Sequence, residues 1–303
     1  MSEPMSGLLV GSLPQECVMS IAQLISPEQL AARQKTPGLV ILDCRYALED
    51  SDYGQRTYAQ GRIEGASFAD LKRDLSGPMI KGKTGRHPLP DPDALLQCFQ
   101  AWGINADSDI VLYDDGPGMY AARAWWLLAW MGKREGVYLL DGGLKAWHAA
   151  GLPLSLDAPN REPGSFSGEP DMSMVLSGSR LHGRLGRPEM TLIDARAEAR
   201  FRGDVEPLDP VAGHIPGAQC AACTDNLGPD GRFLPPEQLR QRFAEKLQGR
   251  PPESLVSYCG SGVTACHNLF ALCLAGYPLA TLYAGSWSEW INDPEHEIAT
   301  GAG

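Results

Sequence analysis

The chain has 303 residues, 43% hydrophobic and 21% charged, with a formal net charge of −11. Two domains of common size fit that length, and the acidic balance offers no basic face to nucleic acid or anionic membrane, so an anionic substrate would need local cations. No apolar run approaches a membrane span, and residues 1–20 lack a basic start followed by an apolar core, so they are expected as a poorly ordered arm rather than a signal peptide.

In chain order, Leu39 to Leu42 is a short apolar run bounded by polar or glycine residues and reads as a buried strand. Arg86-His87-Pro88-Leu89-Pro90 follows as a loop. Ile110 to Tyr113 and Val137 to Leu140 read as further strands around an apolar helix from Ala121 to Met131. The Trp125, Trp126 and Trp130 rings of that helix are core packing rather than a base-stacking platform, given the acidic balance. Residues 151–170, with Pro153, Pro159, Pro163, Gly164, Gly168 and Pro170, read as a linker. Beyond it come strands at Thr191 to Ile193, Leu255 to Tyr258 and Thr281 to Tyr283, and a helix from Thr264 to Leu274. Strand-helix alternation predicts an α/β fold, each half a mostly parallel sheet with helices on both faces. Ligands of such sheets lie beyond the carboxyl ends of the strands.

The chain repeats itself. Val40-Ile41-Leu42-Asp43-Cys44-Arg45 matches Leu192-Ile193-Asp194-Ala195-Arg196, and Gly61-Arg62-Ile63-Glu64-Gly65-Ala66 matches Gly213-His214-Ile215-Pro216-Gly217-Ala218. Gly142 to Trp147 matches Gly285 to Trp290, and the Tyr113 segment matches Tyr258-Cys259-Gly260-Ser261-Gly262 with Asp115 set against Cys259. The expected organisation is an arm over 1–20, a non-catalytic domain over 21–150, a linker over 151–170 and a catalytic domain over 171–303. Only the second copy keeps the cysteine, so the first serves as scaffold and lid.

Cys259 sits between a buried strand and a helix start, in the loop Cys259-Gly260-Ser261-Gly262-Val263-Thr264. The first turn of a helix has unpaired N–H groups and partial positive charge. Two glycines let several N–H groups converge on one sulfur, and a thiolate so placed is a competent nucleophile. The alternative is a buried structural cysteine. A phosphatase loop needs an arginine six residues after the cysteine to clamp an oxyanion, and that position is Ala265. Papain-like proteolysis stays open, although His267, on the helix, is expected to point away. A persulfide, anionic and polarisable, fits a six-residue loop lined by N–H donors.

The other cysteines are scattered, Cys98, Cys266 and Cys273 in apolar stretches, which reads as a reduced cytosolic chain. Cys220 and Cys223 form one C-x-x-C without a second pair to complete a zinc site. His214 is expected to hydrogen-bond loop backbone, and His148, His182 and His296 to lie at the surface.

The Asp-x-Arg strand ends, Gly213-His214-Ile215-Pro216-Gly217-Ala218, Gly285-Ser286-Trp287-Ser288-Glu289-Trp290 and the loop C-G-S-G-V-T-A together resemble the two-domain rhodanese family over about residues 21 to 303. The loop most resembles that of its 3-mercaptopyruvate sulfurtransferases; thiosulfate-specific members commonly carry C-R-K-G-V-T-A. The resemblance implies that Cys259 takes sulfur as a persulfide and hands it to cyanide, a thiol or a reductant such as thioredoxin, with no metal or organic cofactor. It implies Arg200, in R-F-R-G, as the donor-binding cation, Ser261 and Thr264 as hydroxyls stabilising the sulfur, and His87 as a proton relay to Ser261. The relay's aspartate falls on Lys72, with Asp70 and Asp74 nearby, and residues 204–209 hold no second carboxylate-binding arginine. The rival readings are a thiosulfate sulfurtransferase on the same scaffold and a non-catalytic persulfide carrier or redox module.

Overall fold

The computed structural model describes residues 21–302, so the arm expected over 1–20 lies outside the described residues. The first half contains β1 (Gln23–Ile25), α1 (Pro27–Arg33), β2 (Val40–Asp43), α2 (Tyr53–Gln60), β3 (Ala66–Phe68), α3 (Pro92–Ala101), β4 (Ile110–Tyr113), α4 (Met119–Trp130), β5 (Val137–Leu140) and α5 (Gly143–Ala149). Its strands form a parallel sheet in the order β1-β5-β4-β2-β3. The second half contains α6 (Gly178–His182), β6 (Thr191–Asp194), α7 (Glu198–Arg202), β7 (Gln219–Cys220), α8 (Pro236–Leu247), β8 (Leu255–Tyr258), α9 (Thr264–Leu274), β9 (Thr281–Leu282) and α10 (Ser286–Trp290). Its strands form a parallel sheet in the order β7-β6-β8-β9.

The central strands β2, β4, β6 and β8 are buried at every residue, which is why they read as continuous apolar runs rather than alternating ones. The short flanking strands β1, β3 and β7 carry half-exposed residues and no such signal. Two buried Asp-x-Arg pairs close the strand ends. Arg45 Nη2 donates to Asp43 and to the Gly61 carbonyl at 2.7 Å, and Arg196 Nη2 to Asp194 and to the Gly213 carbonyl, both at 2.7 Å. Each arginine thereby ties its strand to the matching Gly-x-Ile turn, which explains why those motifs recur together.

The register places Tyr113 beside Asp43 and Tyr258 beside Asp194, and both tyrosine hydroxyls accept the N–H of the matching isoleucine, Ile63 or Ile215. Asp114, not Asp115, therefore follows its strand as Cys259 follows β8. The two-glycine loop invited the one-residue slip. The Asp114 carboxylate fills its own loop, accepting N–H bonds from Gly116, Gly118 and Tyr120 at 3.1, 2.9 and 2.9 Å. Asp115 instead accepts the Tyr53 hydroxyl at 3.0 Å.

The halves share one core. Helix α4 lies on α9, with the Trp125 ring edge-on to Phe270 at 5.0 Å and the Trp126 and Trp130 rings stacked nearby. Each such fully buried aromatic contributes about 1.5–3 kcal/mol by removal from water, so α4 and α9 hold the halves in fixed register. The 151–170 segment runs back along the first half. Ser155 N–H donates to Arg62 at 2.8 Å, Gly164 to Gln100 at 2.7 Å and Phe166 to Ile104 at 3.0 Å. Among the described residues no helix is long and apolar enough to cross a membrane.

Candidate active site

Cys259 follows β8 directly and is 2% exposed. Its neighbours are fixed by backbone bonds. Cys259 N–H donates to Ser286 Oγ at 3.1 Å, while its carbonyl and that of Gly260 accept the Trp287 and Ser288 N–H groups, both at 2.9 Å. The Gly-Ser-Trp-Ser-Glu-Trp segment thus cradles the loop from outside, with Ser286 held at φ +56° to do so. Gly262 N–H donates to Cys259 Sγ at 3.1 Å. Gly262 sits at φ +78°, and a Cβ there would collide with the Ala284 carbonyl, so only glycine brings this N–H to the sulfur. Val263 is buried just ahead of α9, and Thr264 opens the helix half-buried.

The structure brings His87 and Ser261 together from opposite halves, Nδ1 to Oγ at 2.8 Å, both buried. Burial, with Arg123, Arg86 and Lys72 adding repulsion, pushes the His87 imidazolium down to about 3, so the ring is neutral near pH 7. Neither Asp70 nor Asp74 takes the aspartate's place in this pair. The Asp70 carboxylate caps its own turn through the Lys72 and Arg73 N–H groups, and Asp74 accepts from Asp70 N–H and from Arg73. Lys72 instead lines, with Tyr46, Met79, Arg86, His87 and Leu208, a cavity of about 430 Å³.

Arg200, on α7, reaches the loop and pairs with Glu206 at 2.6 Å and Asp209 at 3.3 Å, not with Glu198 or Asp204. A second guanidinium stands beside it. Arg86, next to His87 in sequence, pairs with Asp209 and anchors its N–H on Ser288 Oγ at 3.0 Å. A Cβ built on Gly260 would lie 2.8 Å from Arg86 Nη2 and 3.5 Å from Arg200 Nη2. Gly260 therefore leaves open the space where two cations converge. Residues 204–209 hold no arginine, and the second guanidinium near Gly260 is that of Arg86, whose adjacency to His87 was the available signal. Burial raises Asp209 above the ordinary carboxylate range despite Arg86 and Arg200. Burial also pushes Glu206 upward, but the Arg200 bond and the Leu208 N–H outweigh it and hold Glu206 low.

The remaining singled-out residues lie elsewhere. His267 Nε2 meets the Pro117 carbonyl at 2.8 Å and its ring stacks on Phe233, so it serves the contact between halves. His214 Nδ1 meets the Phe201 carbonyl at 2.8 Å. His148 and His182 are exposed, whereas His296 departs from its expected surface placement and stacks on Trp290 at 3.8 Å. Cys220 and Cys223 are free thiols; the first donates to the Arg196 carbonyl at 3.7 Å. Among the described residues no group of three or more His, Cys, Asp or Glu side chains is placed to hold a metal.

A duplicated parallel α/β framework with one cysteine cradled after a central strand defines the class of protein. The chain belongs to the rhodanese-like domain family, whose model matches residues 26–150 and 177–293. It is 66% identical over 283 residues to a Pseudomonas aeruginosa protein named "Probable 3-mercaptopyruvate sulfurtransferase", covering 93% of this chain and 100% of that one. It is 31% identical to the thiosulfate sulfurtransferase of Bos taurus, covering 91% and 93%. Among solved structures, Escherichia coli SseA, described with the rhodanese fold of 3-mercaptopyruvate sulfotransferases, superposes with a TM-score of 0.76 at 32% identity, covering 88% and 100%.

Proposed function

We propose that the chain is a sulfurtransferase that moves sulfur from 3-mercaptopyruvate to a thiol or cyanide through a Cys259 persulfide. The Cys259 thiolate attacks the donor sulfur, the C–S bond breaks, and its electron pair passes to C3 as the pyruvate enolate. The donor's S–H proton ends on C3, and the neutral His87–Ser261 pair is suited to carry it. The terminal sulfur, about 2 Å beyond Sγ, is held as an anion by loop N–H groups and the Ser261 and Thr264 hydroxyls, in the manner of an oxyanion hole. Val263 and the two loop glycines set that loop's shape. Arg200 and Arg86 take the donor carboxylate. An acceptor thiolate, cyanide, or a reductant such as thioredoxin then removes the sulfur and regenerates Cys259.

The observation that carries this reading is the 2.8 Å His87–Ser261 contact beside a cysteine loop flanked by two arginines. The first domain, over 21–150, contributes His87 and Arg86 but no nucleophile, since Asp114 fills its own loop. The free thiols of Cys259, Cys220 and Cys223 suit a reducing compartment such as the cytoplasm. The paired guanidiniums also favour a second reading, thiosulfate as donor, because a dianion matches two cations.

Steady-state sulfur transfer to cyanide from each donor, on wild type and Cys259→Ser, tests the proposal. Faster turnover of 3-mercaptopyruvate, abolished by the substitution, is expected. Preference for thiosulfate would replace the donor assignment. Persulfide loading of Cys259 without turnover on either donor would make the chain a sulfur carrier.

A further inference from the structure

Arg123, on α4 of the first half, is fully buried, and arginine does not deprotonate in proteins. Its partners are neutral, four backbone carbonyls and the Cys266 thiol. Nη1 donates to Gly262 at 3.0 Å, and Nη2 to Leu75, His87 and Pro88 at 3.4, 3.4 and 3.5 Å, while Nε has no partner. Arg45 and Arg196, similarly buried, each carry a carboxylate, and Arg86 and Arg200 share Asp209. Among the described residues Arg123 has no such acid. An uncompensated buried charge is strongly unfavourable unless an anion resides nearby.

The ionisable groups that act on Arg123 from its surroundings are two thiols, Cys266 and Cys259. Cys266 points its Sγ at the Gly262 carbonyl at 3.3 Å, and burial keeps it a neutral thiol, pushed up to about 12. Cys223, also facing Cys259, is likewise pushed up to about 12 by burial. On the outer side of the loop stand His87, neutral, and the acid-paired Arg86 and Arg200. That leaves Cys259. Gly262 donates its N–H to Cys259 Sγ and offers its carbonyl to Arg123, so one residue connects the sulfur to the buried cation.

We infer that Arg123 is a positioning residue that supplies the fixed counter-charge of the Cys259 thiolate, and of its persulfide, while clamping the His87 segment to the cysteine loop. The second half holds the nucleophile, and the first half holds the charge that ionises it. The persulfide part rests on the proposed function; the thiolate part does not.

The test is the pH dependence of Cys259 alkylation by iodoacetamide, followed at the Cys259 peptide by mass spectrometry, for wild type, Arg123→Met and Arg123→Lys. Arg123→Met should raise the midpoint by about one pH unit, slowing alkylation about tenfold at pH values below the midpoint, and Arg123→Lys should recover most of the rate. An unchanged midpoint in a folded Arg123→Met protein would overturn the inference. If that variant fails to fold, thermal unfolding of wild type against Cys259→Ala decides. A thiolate paired with a fixed buried cation adds stability as it forms, until the unfolded thiol also ionises at about 8.5. The advantage of wild type should therefore grow with pH up to that value, and a flat difference refutes the charge pairing. Neither measurement uses a sulfur donor, so inactivity on every donor would refute the sulfurtransferase reading and leave this one standing.

Discussion

Replacing Arg86 by Met removes one of the two guanidiniums over Gly260 while keeping much of the apolar stem. Arg86 Nη2 lies 2.8 Å from the position a Gly260 Cβ would occupy, with Arg200 Nη2 at 3.5 Å, so a donor carboxylate lodged there meets both. A hydrogen bond to a charged group contributes about 1.5–3 kcal/mol. Arg86 is 23% exposed and shares its charge with Asp209, so the lower end applies. About 1.5–2 kcal/mol corresponds to a loss of roughly 10- to 30-fold in affinity. Because the carboxylate does not react, the loss should appear as a higher KM for 3-mercaptopyruvate with kcat nearly unchanged. Asp209 limits the damage. Without Arg86 its carboxyl, already raised by burial, loses a lowering partner and rises further, while Arg200 still pairs with it. Rapid-quench measurement of pyruvate release against donor concentration reads both constants. A KM within twofold of wild type, with folding intact, would mean that the carboxylate does not rest on Arg86.

Two further outcomes concern stability. His87 and His267 are pushed down to about 3 and about 4, both chiefly by burial, whereas the unfolded chain protonates near 6.5. Below that value the unfolded state binds more protons, so stability should fall progressively on acidification from about pH 6.5 toward 4. Chemical denaturation across that range should show a shallower slope in His87→Asn, and an equal slope would refute the shift. Gly262→Ala forces a Cβ against the Ala284 carbonyl at φ +78°; such strain costs of order 1–3 kcal/mol. The melting temperature should drop and Cys259 alkylation should slow. A variant as stable as wild type would contradict the loop geometry.

Much of the site was legible because its elements are local. Buried central strands announce themselves as short apolar runs, and a cysteine between such a run and an apolar helix falls at a strand end in any parallel sheet. The loop chemistry of Cys259 to Thr264 is likewise contiguous, and the duplication places it in the second domain. His87 was reachable through its Arg-His-Pro-Leu-Pro segment, although the sequence carries no trace of its 2.8 Å contact with Ser261.

What the chain order does not encode is which distant residues meet. The packing of α4 on α9 carries Arg123 beneath the cysteine loop. The bond from Arg86 N–H to Ser288 swings a first-half arginine over Gly260, supplying the second cation absent from residues 204–209. The same tertiary register sets Asp114, through the Tyr113 and Tyr258 pairings, in the place of Cys259. Periodicity and turn chemistry act over a few residues and so can be read along the chain. Arg86, His87 and Arg123 lie well over a hundred positions from Cys259 and join its surroundings only when the two halves bury their shared core.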